Sequence, residues 1–235
     1  MIQVYYTEVF PFLEENTFFS HLNKIEEERR KKILKNNNEK VRLRSLSAGC
    51  LLHDVLCRKL GISPENSQPF DIAYEEGGKP YLVKYPKLHF NLSHSGDYVC
   101  CAVGDVPVGV DIQKLVEIRE GVAGRFFTDE DNERLAKCTE KEREKLFFRM
   151  WSIKESYIKL TGKGLSGGLD HFEIDWQRKG ILERNVQDAK KEKDFWESID
   201  VAAYFEEWDQ LDQYCFCVCA ERDLEKVVWE EVYYF

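Results

Sequence analysis

Residues 147 to 166, FFRMWSIKESYIKLTGKGLS, alternate apolar and polar positions with a helical period and run out into glycines. At about 100° per residue, Phe147, Trp151 and Ile158 project within about 40° of one another and form an apolar stripe. Glu155 projects about 40° from Trp151, with Phe148 just beyond it, and Lys154 flanks the stripe from the other edge. Arg149, Ser152 and Ser156 make the polar arc. The pattern predicts an amphipathic helix with a carboxylate on its greasy side. Elsewhere the period is two. In VPVGVDIQKL, residues 106 to 115, Val106, Val108, Val110 and Ile112 alternate as in a strand with one buried face, leaving Gly109, Asp111 and Gln113 on the other. MIQVYYTEVF reads as a first strand, and HFNLSHSGDYVCC, residues 89 to 101, as a hairpin turning at Ser-Gly-Asp.

The pattern also repeats. SLSAGCLLHDVLCRKLGIS is followed by PFDIAYEEGGKPYL, and about a hundred residues later FFRMWSIKESYIKLTGKGLS is followed by HFEIDWQRKGIL. Both copies give a helix, a glycine, Ile or Leu and a serine, then Phe, an acid, Ile, one residue, an aromatic and a glycine. SGDYVCCAVGD in the first half answers LDQYCFCVCAE in the second. The expected fold is α+β: two pseudo-symmetric halves, 1–105 and 106–235, each a helix on a small antiparallel sheet. No Gly/Ser linker separates them, so the expectation is direct packing with a ligand site in the cleft between them.

Composition narrows the function. Of 235 residues, 43% are hydrophobic and 13% aromatic, a globular balance. No apolar run approaches the roughly 18 residues of a membrane span, and the N-terminus lacks a signal-peptide layout, so a cytoplasmic protein is expected. Net charge is −9, which argues against nucleic acid as a partner. The eight cysteines do not have the spacing of a disulfide scaffold. Cys215, Cys217 and Cys219 share one strand face, as reduced core residues or, alternatively, as zinc ligands. RRKKILK, residues 29 to 35, runs against the acidic balance and is either a solvated helix face or a phosphate-binding surface.

Several side chains suggest chemistry. Asp111 and Gln113 offer a carboxylate and an amide oxygen two residues apart, and magnesium needs few protein oxygens when substrate phosphates complete its shell. Glu155 could pair with Lys159 one helical turn on, or join Asp111 in holding a cation. Lys154 and Lys159 would then lie near a metal–phosphate complex. His94, between Ser93 and Ser95, is either structural or functional, and no GxSxG elbow or P-loop is present. Lys79 sits on a turn, solvated or facing phosphate.

GVDIQ, FFTDEDNERL and WSIKESYIKLTGKGLS, preceded by GKPYL and FNLSHSGDYV, together resemble the 4'-phosphopantetheinyl transferases in their double-length form, over about residues 25 to 175. The resemblance implies transfer of the phosphopantetheine arm of coenzyme A to a serine of an acyl- or peptidyl-carrier protein. It also implies release of adenosine 3',5'-bisphosphate, a need for Mg2+, and a monomer holding both halves. Carried over by position, Asp111 and Glu155 match the acidic metal ligands, and Lys154 and Lys159 match lysines near the pyrophosphate. Ser93 and His94 match residues at the coenzyme phosphates, Lys79 and Arg44 line the coenzyme pocket, and Lys32 and Arg29 match the basic helix that grips the 3'-phosphate. Glu155 and Lys159 are the expected catalytic pair. Gln113 departs from the acid usual at its position and would coordinate through oxygen or hold a metal-bound water. The alternatives are a magnesium-dependent phosphohydrolase of a nucleotide or pyrophosphate, and a coenzyme A-binding module with weakened catalysis.

Overall fold

The expected first strand is β1 (Ile2–Glu8), and it pairs antiparallel with β5 (Tyr98–Gly104). The computed structural model describes residues 1–65, 67–164, 168–183, 200–224 and 226–234. Between β1 and β5 come α1 (Glu15–Leu22), α2 (Glu27–Lys35), α3 (Glu39–Leu60), the short hairpin β2 (Ile72–Tyr74) and β3 (Pro80–Leu82), and β4 (His89–Ser95). Asn38 starts α3 by accepting the Val41 N–H through its side chain, and Gly61, at φ 67°, ends it in the left-handed region that glycine enters without strain. Leu51, Leu52, Val55 and Leu56 of α3 pack with Val99, Cys101 and Val103 of β5. Phe10, Phe18, Leu22, Ile25 and Ile33 form a second cluster with Leu43, Leu46 and Cys50 of α3.

The chain then enters β6 (Val108–Lys114), α4 (Val122–Phe126), α5 (Asp129–Ala136) and α6 (Glu140–Thr161). Next come β7 (Phe172–Asp175), β8 (Gly180–Glu183), β9 (Ala203–Trp208) and β10 (Tyr214–Ala220), forming a sheet of order β6-β10-β9-β8-β7. Capping boxes built on Thr128 with Asp131, and on Thr139 with Glu142, start α5 and α6, and Gly162, at φ 70°, ends α6. The last strand, β11 (Val227–Glu231), pairs parallel with β1, giving the order β11-β1-β5-β4.

The repeat in the sequence is visible in these elements. In each copy a 22-residue helix ends at a left-handed glycine, a hairpin follows, and a second hairpin completes the sheet. β1 lies beside β5 as β6 lies beside β10. The copies differ in their first hairpins: β2 and β3 form a separate two-stranded sheet, whereas β7 and β8 extend the five-stranded one. The compact units are Met1–Val106 with Lys226–Phe235, and Pro107–Glu225. Residues 226–235, expected with the second half, therefore lie with the first, because β1 offers β11 an edge on which to hydrogen-bond.

Candidate functional site

The polar arc expected on α6 is not its solvent face. Ser152 and Ser156 are buried, and α6 lies on β6 and β10. The reason is Gly109. A Cβ at that position would stand 2.0 Å from the Ser156 carbonyl oxygen and 2.4 Å from the Leu160 nitrogen, so the room beside Asp111 is filled by the helix backbone itself. Ser156 is small enough for the approach, and its hydroxyl is satisfied by the Ile153 carbonyl at 2.7 Å and the sulfurs of Cys217 and Cys219 at 3.3 and 3.0 Å. The three thiols of β10 pair in register with Gln113, Asp111 and Gly109 and are buried under α6. Burial pushes the Cys215 thiol up to about 12 and the Cys217 thiol well above its ordinary value. All eight cysteines are free, and those on β10 are core residues.

This contact brings the carboxylates together. Asp111 is 1% exposed. Its Oδ1 accepts a hydrogen bond from Lys159 Nζ at 2.6 Å and its Oδ2 one from Gln113 Nε2 at 2.8 Å. Lys159 also donates to the Val110 carbonyl at 3.2 Å. The lysine one turn beyond Glu155 thus pairs with the strand and not with Glu155. Glu155 is half-buried and makes no hydrogen bond or ion pair among the described residues. Its carboxyl is held above the usual range, first by burial and then by the negative charge of Asp111, with Lys159 opposing.

A half-buried, unpartnered carboxylate that feels a second one is a donor set suited to a hard divalent cation. No group of three or more His, Cys, Asp or Glu among the described residues is placed to hold a metal. Two carboxylates are nevertheless enough for magnesium when phosphate oxygens complete its octahedron. Gln113, expected as an oxygen donor, presents its N–H to Asp111 and fixes that carboxylate's orientation.

Lys154 requires a correction. The expectation puts it near the pyrophosphate, yet it is 0% exposed, and its ammonium donates to the Leu169 and Phe172 carbonyls at 2.9 Å each and pairs with Asp131 Oδ2 at 2.7 Å. An ammonium has three donors, and all three are taken. The helical wheel sets Lys154 at the edge of the apolar stripe but does not show that α5 and β7 close over it.

In the first unit, Lys32 is exposed, paired with Glu28 at 2.7 Å, and 5.5 Å from the centre of the Tyr74 ring. Arg29 is half-buried and bonds Glu26 at 2.7 Å, its stem lying against Gly49 of α3. Both share α2 with Lys31, which pairs with Glu27. The Nε of Arg44 is buried without a hydrogen-bond partner among the described residues. Lys79 sits half-buried just before β3, Ser93 is buried on β4, and His94 is exposed at its neighbour.

Two family models cover most of the chain. The 4'-phosphopantetheinyl transferase superfamily model matches residues 107–219, and the 4'-phosphopantetheinyl transferase N-terminal model matches residues 13–105. 4'-Phosphopantetheinyl transferase Sfp of Bacillus subtilis (strain 168) is 33% identical over 189 residues, 77% of this chain and 80% of that protein. The chain belongs to the 4'-phosphopantetheinyl transferase family. A second Bacillus subtilis 4'-phosphopantetheinyl transferase is 32% identical over 172 residues, 72% of each chain. 4'-Phosphopantetheinyl transferase psf-1 of Bacillus pumilus is 48% identical over 98 residues, a match spanning 42% of each chain. In this transferase chain the superfamily match spans β6, α6 and all but the last residue of β10, and so contains Asp111, Glu155 and Lys159. The N-terminal match contains Arg29, Lys32, Arg44, Lys79, Ser93 and His94. Leu165 and Ser166, at the end of the long helix motif, lie outside the described residues.

The network missed in the sequence is the buried one. Thr128 and Asp131 build the α5 cap, Asp131 meets Lys154, and the Thr128 hydroxyl donates to Glu173 at 2.9 Å. The Thr-x-x-Asp spacing of TDED was its signal, legible as a helix start but silent about the lysine.

Proposed function

We propose that this chain moves the 4'-phosphopantetheine group of coenzyme A onto a serine hydroxyl of an acyl- or peptidyl-carrier protein and releases adenosine 3',5'-bisphosphate. Family membership supports the reaction. The observation that carries the site is the Asp111–Lys159 pair beside the unpartnered Glu155. Asp111 and Glu155 would hold Mg2+, whose role when bound is to neutralise pyrophosphate charge.

The rest belongs to the protein's own groups. Lys159, held on Asp111, sets a fixed positive charge at the site, available to offset the charge that grows as the bond to the nucleotide stretches. Glu155, lying in the field of Asp111 with no hydrogen bond or ion pair among the described residues, takes the proton of the carrier serine. The serine oxygen bonds to the phosphorus that bears pantetheine. The phosphorus–oxygen bond to the nucleotide breaks, and its electron pair leaves on the bisphosphate. Gln113 orients Asp111 by its N–H. The first-unit residues Arg29, Lys32, Arg44, Lys79, Ser93 and His94 bind the coenzyme's phosphates and nucleotide. The Arg44 Nε, a buried donor without an acceptor among the described residues, supports a ligand there. The chain carries both halves and is proposed to work as a monomer. No helix among the described residues is long and apolar enough to cross a membrane.

Incubating the protein with coenzyme A, magnesium and several apo-carrier domains, with intact-mass measurement of each carrier, tests the proposal. A gain of one phosphopantetheinyl group is expected. Bisphosphate released equally without a carrier would mean hydrolysis, and coenzyme binding without any modified carrier would mean a binding module.

A further inference from the structure

Lys154 precedes Glu155 on α6, and its ammonium is closed off from any ligand. Three segments converge on it. Asp131 comes from the first turn of α5, the Leu169 carbonyl from the loop after α6, and the Phe172 carbonyl from the start of β7. The rings of Phe172 and Phe127 lie 4.8 and 5.9 Å from Nζ, so the charge is also met by aromatic faces. Asp131 is 2% exposed and is held in turn by the Thr128 cap, while Thr128 bonds the buried Glu173 of β7. A methionine could fill the same volume. It could not satisfy two carbonyls and a buried carboxylate at once.

We infer that Lys154 is a positioning residue, which fixes the turn of α6 bearing Glu155 against α5 and β7 and makes no contact with the coenzyme phosphates. The inference rests on the reading of Glu155 as the base. A helix turn pinned at Lys154 on one side and at Gly109 on the other has little freedom to rotate Glu155 away from Asp111. Loss of the pin displaces the reacting groups by fractions of an ångström to an ångström, which costs about 100-fold in rate while substrate binding survives.

The test compares Lys154→Met, Asp131→Asn and the double variant, with kcat, KM for coenzyme A and equilibrium coenzyme binding measured on each. The amide introduced by Asp131→Asn keeps an oxygen for the Thr128 N–H but removes the charge that Lys154 meets. The expected result is a kcat about 100-fold lower for Lys154→Met, with KM and coenzyme affinity within about twofold of the parent. Asp131→Asn, far from any phosphate role, should lower kcat in the same way, and the double variant should be no worse than Lys154→Met. If Lys154→Met does not fold, Asp131→Asn and the double variant decide. Coenzyme affinity reduced tenfold or more by removing Lys154, with Asp131→Asn unchanged in kcat, would overturn the assignment in favour of a phosphate contact. Full turnover by Glu155→Gln would instead remove the base reading and leave the Lys154 kinetics to stand or fall alone.

Discussion

Glu155 stood out in the sequence as a carboxylate beside Trp151, and its surroundings decide its behaviour. Burial and the neighbouring Asp111 raise its pKa, so in the folded protein it holds its proton more tightly than in the unfolded chain. That stabilisation is complete below the ordinary carboxylate value and is lost as pH rises through the folded one. Above that folded value the charge is a burden on the fold. Glu155→Gln should therefore lower kcat by about 100- to 10,000-fold while leaving the pH 7 melting temperature equal to or above the parent's. A lower melting temperature would show that the carboxylate has a stabilising partner. Lys32, exposed on α2, is a different kind of residue: its pairing with Glu28 on the surface is worth little. Lys32→Ala should leave stability unchanged but weaken coenzyme A more than 3'-dephospho-coenzyme A, and equal losses would remove its 3'-phosphate role. The choice for Glu155 between Lys159 and Asp111 was not readable in the sequence. An i,i+4 spacing permits a pair, but Lys159 instead bonds an aspartate 48 positions away in the chain.

At the scale of elements, β6 and α6 meet backbone to backbone, and Gly109 is what permits it. Gly109→Ala puts a methyl group into the Ser156 carbonyl and the Leu160 nitrogen, neither of which can turn aside. It should cost about 3 kcal/mol in urea unfolding, with activity lost in parallel as Asp111 and Lys159 part. Unchanged stability would mean the helix is free to lift. At its other end α6 is tied by Tyr157, whose hydroxyl donates to Glu183 of β8 at 2.6 Å, with Lys163 on the same oxygen at 3.0 Å. The tyrosine bond foremost, and Lys163 after it, hold the Glu183 carboxyl below its ordinary value, while partial burial opposes them. A lowered acid contributes stability above its unfolded pKa and loses it as pH falls through the folded one. The parent should lose stability between about pH 5 and pH 3 more steeply than Tyr157→Phe, as followed by thermal melts across that range. The strand β6 and the helix α6 were both readable from their periods. Their facing surfaces were not, because Ser152 and Ser156 look like solvent residues until a glycine strand is laid against them.

Over the whole molecule, the most consequential departure is the path of the chain's end. β11 belongs to the first unit and pairs parallel with β1 from Ile2↔Val227 to Tyr6↔Glu231, while Val232 enters the core and the Tyr234 ring meets Phe10 edge-on at 5.2 Å. Deleting residues 226–235 should therefore unfold the first unit, seen as loss of near-ultraviolet ellipticity and fast amide exchange along β1. A truncated protein with native exchange rates in β1 would contradict the closure. The repeat detected in the sequence was legible because each copy uses the same helix, glycine and hairpin sequence. The return of β11 was not, since an isolated strand carries no mark of the partner on which it will hydrogen-bond.

Periodicity and turn residues alone therefore determined β1, β4, β5, β6 and β10, the two long helices, the doubling of the motif, and the identity of the acids and lysines worth suspecting. These are local properties, set by side-chain spacing and backbone preference within a few residues. Tertiary structure decided which charges meet. It gave Lys159 to Asp111, closed Lys154 away beneath α5 and β7, and left Glu155 without a hydrogen bond or ion pair among the described residues. The physical reason is that charge pairing and desolvation depend on separation through space, and packing a helix onto a glycine sets those separations between residues far apart in the chain.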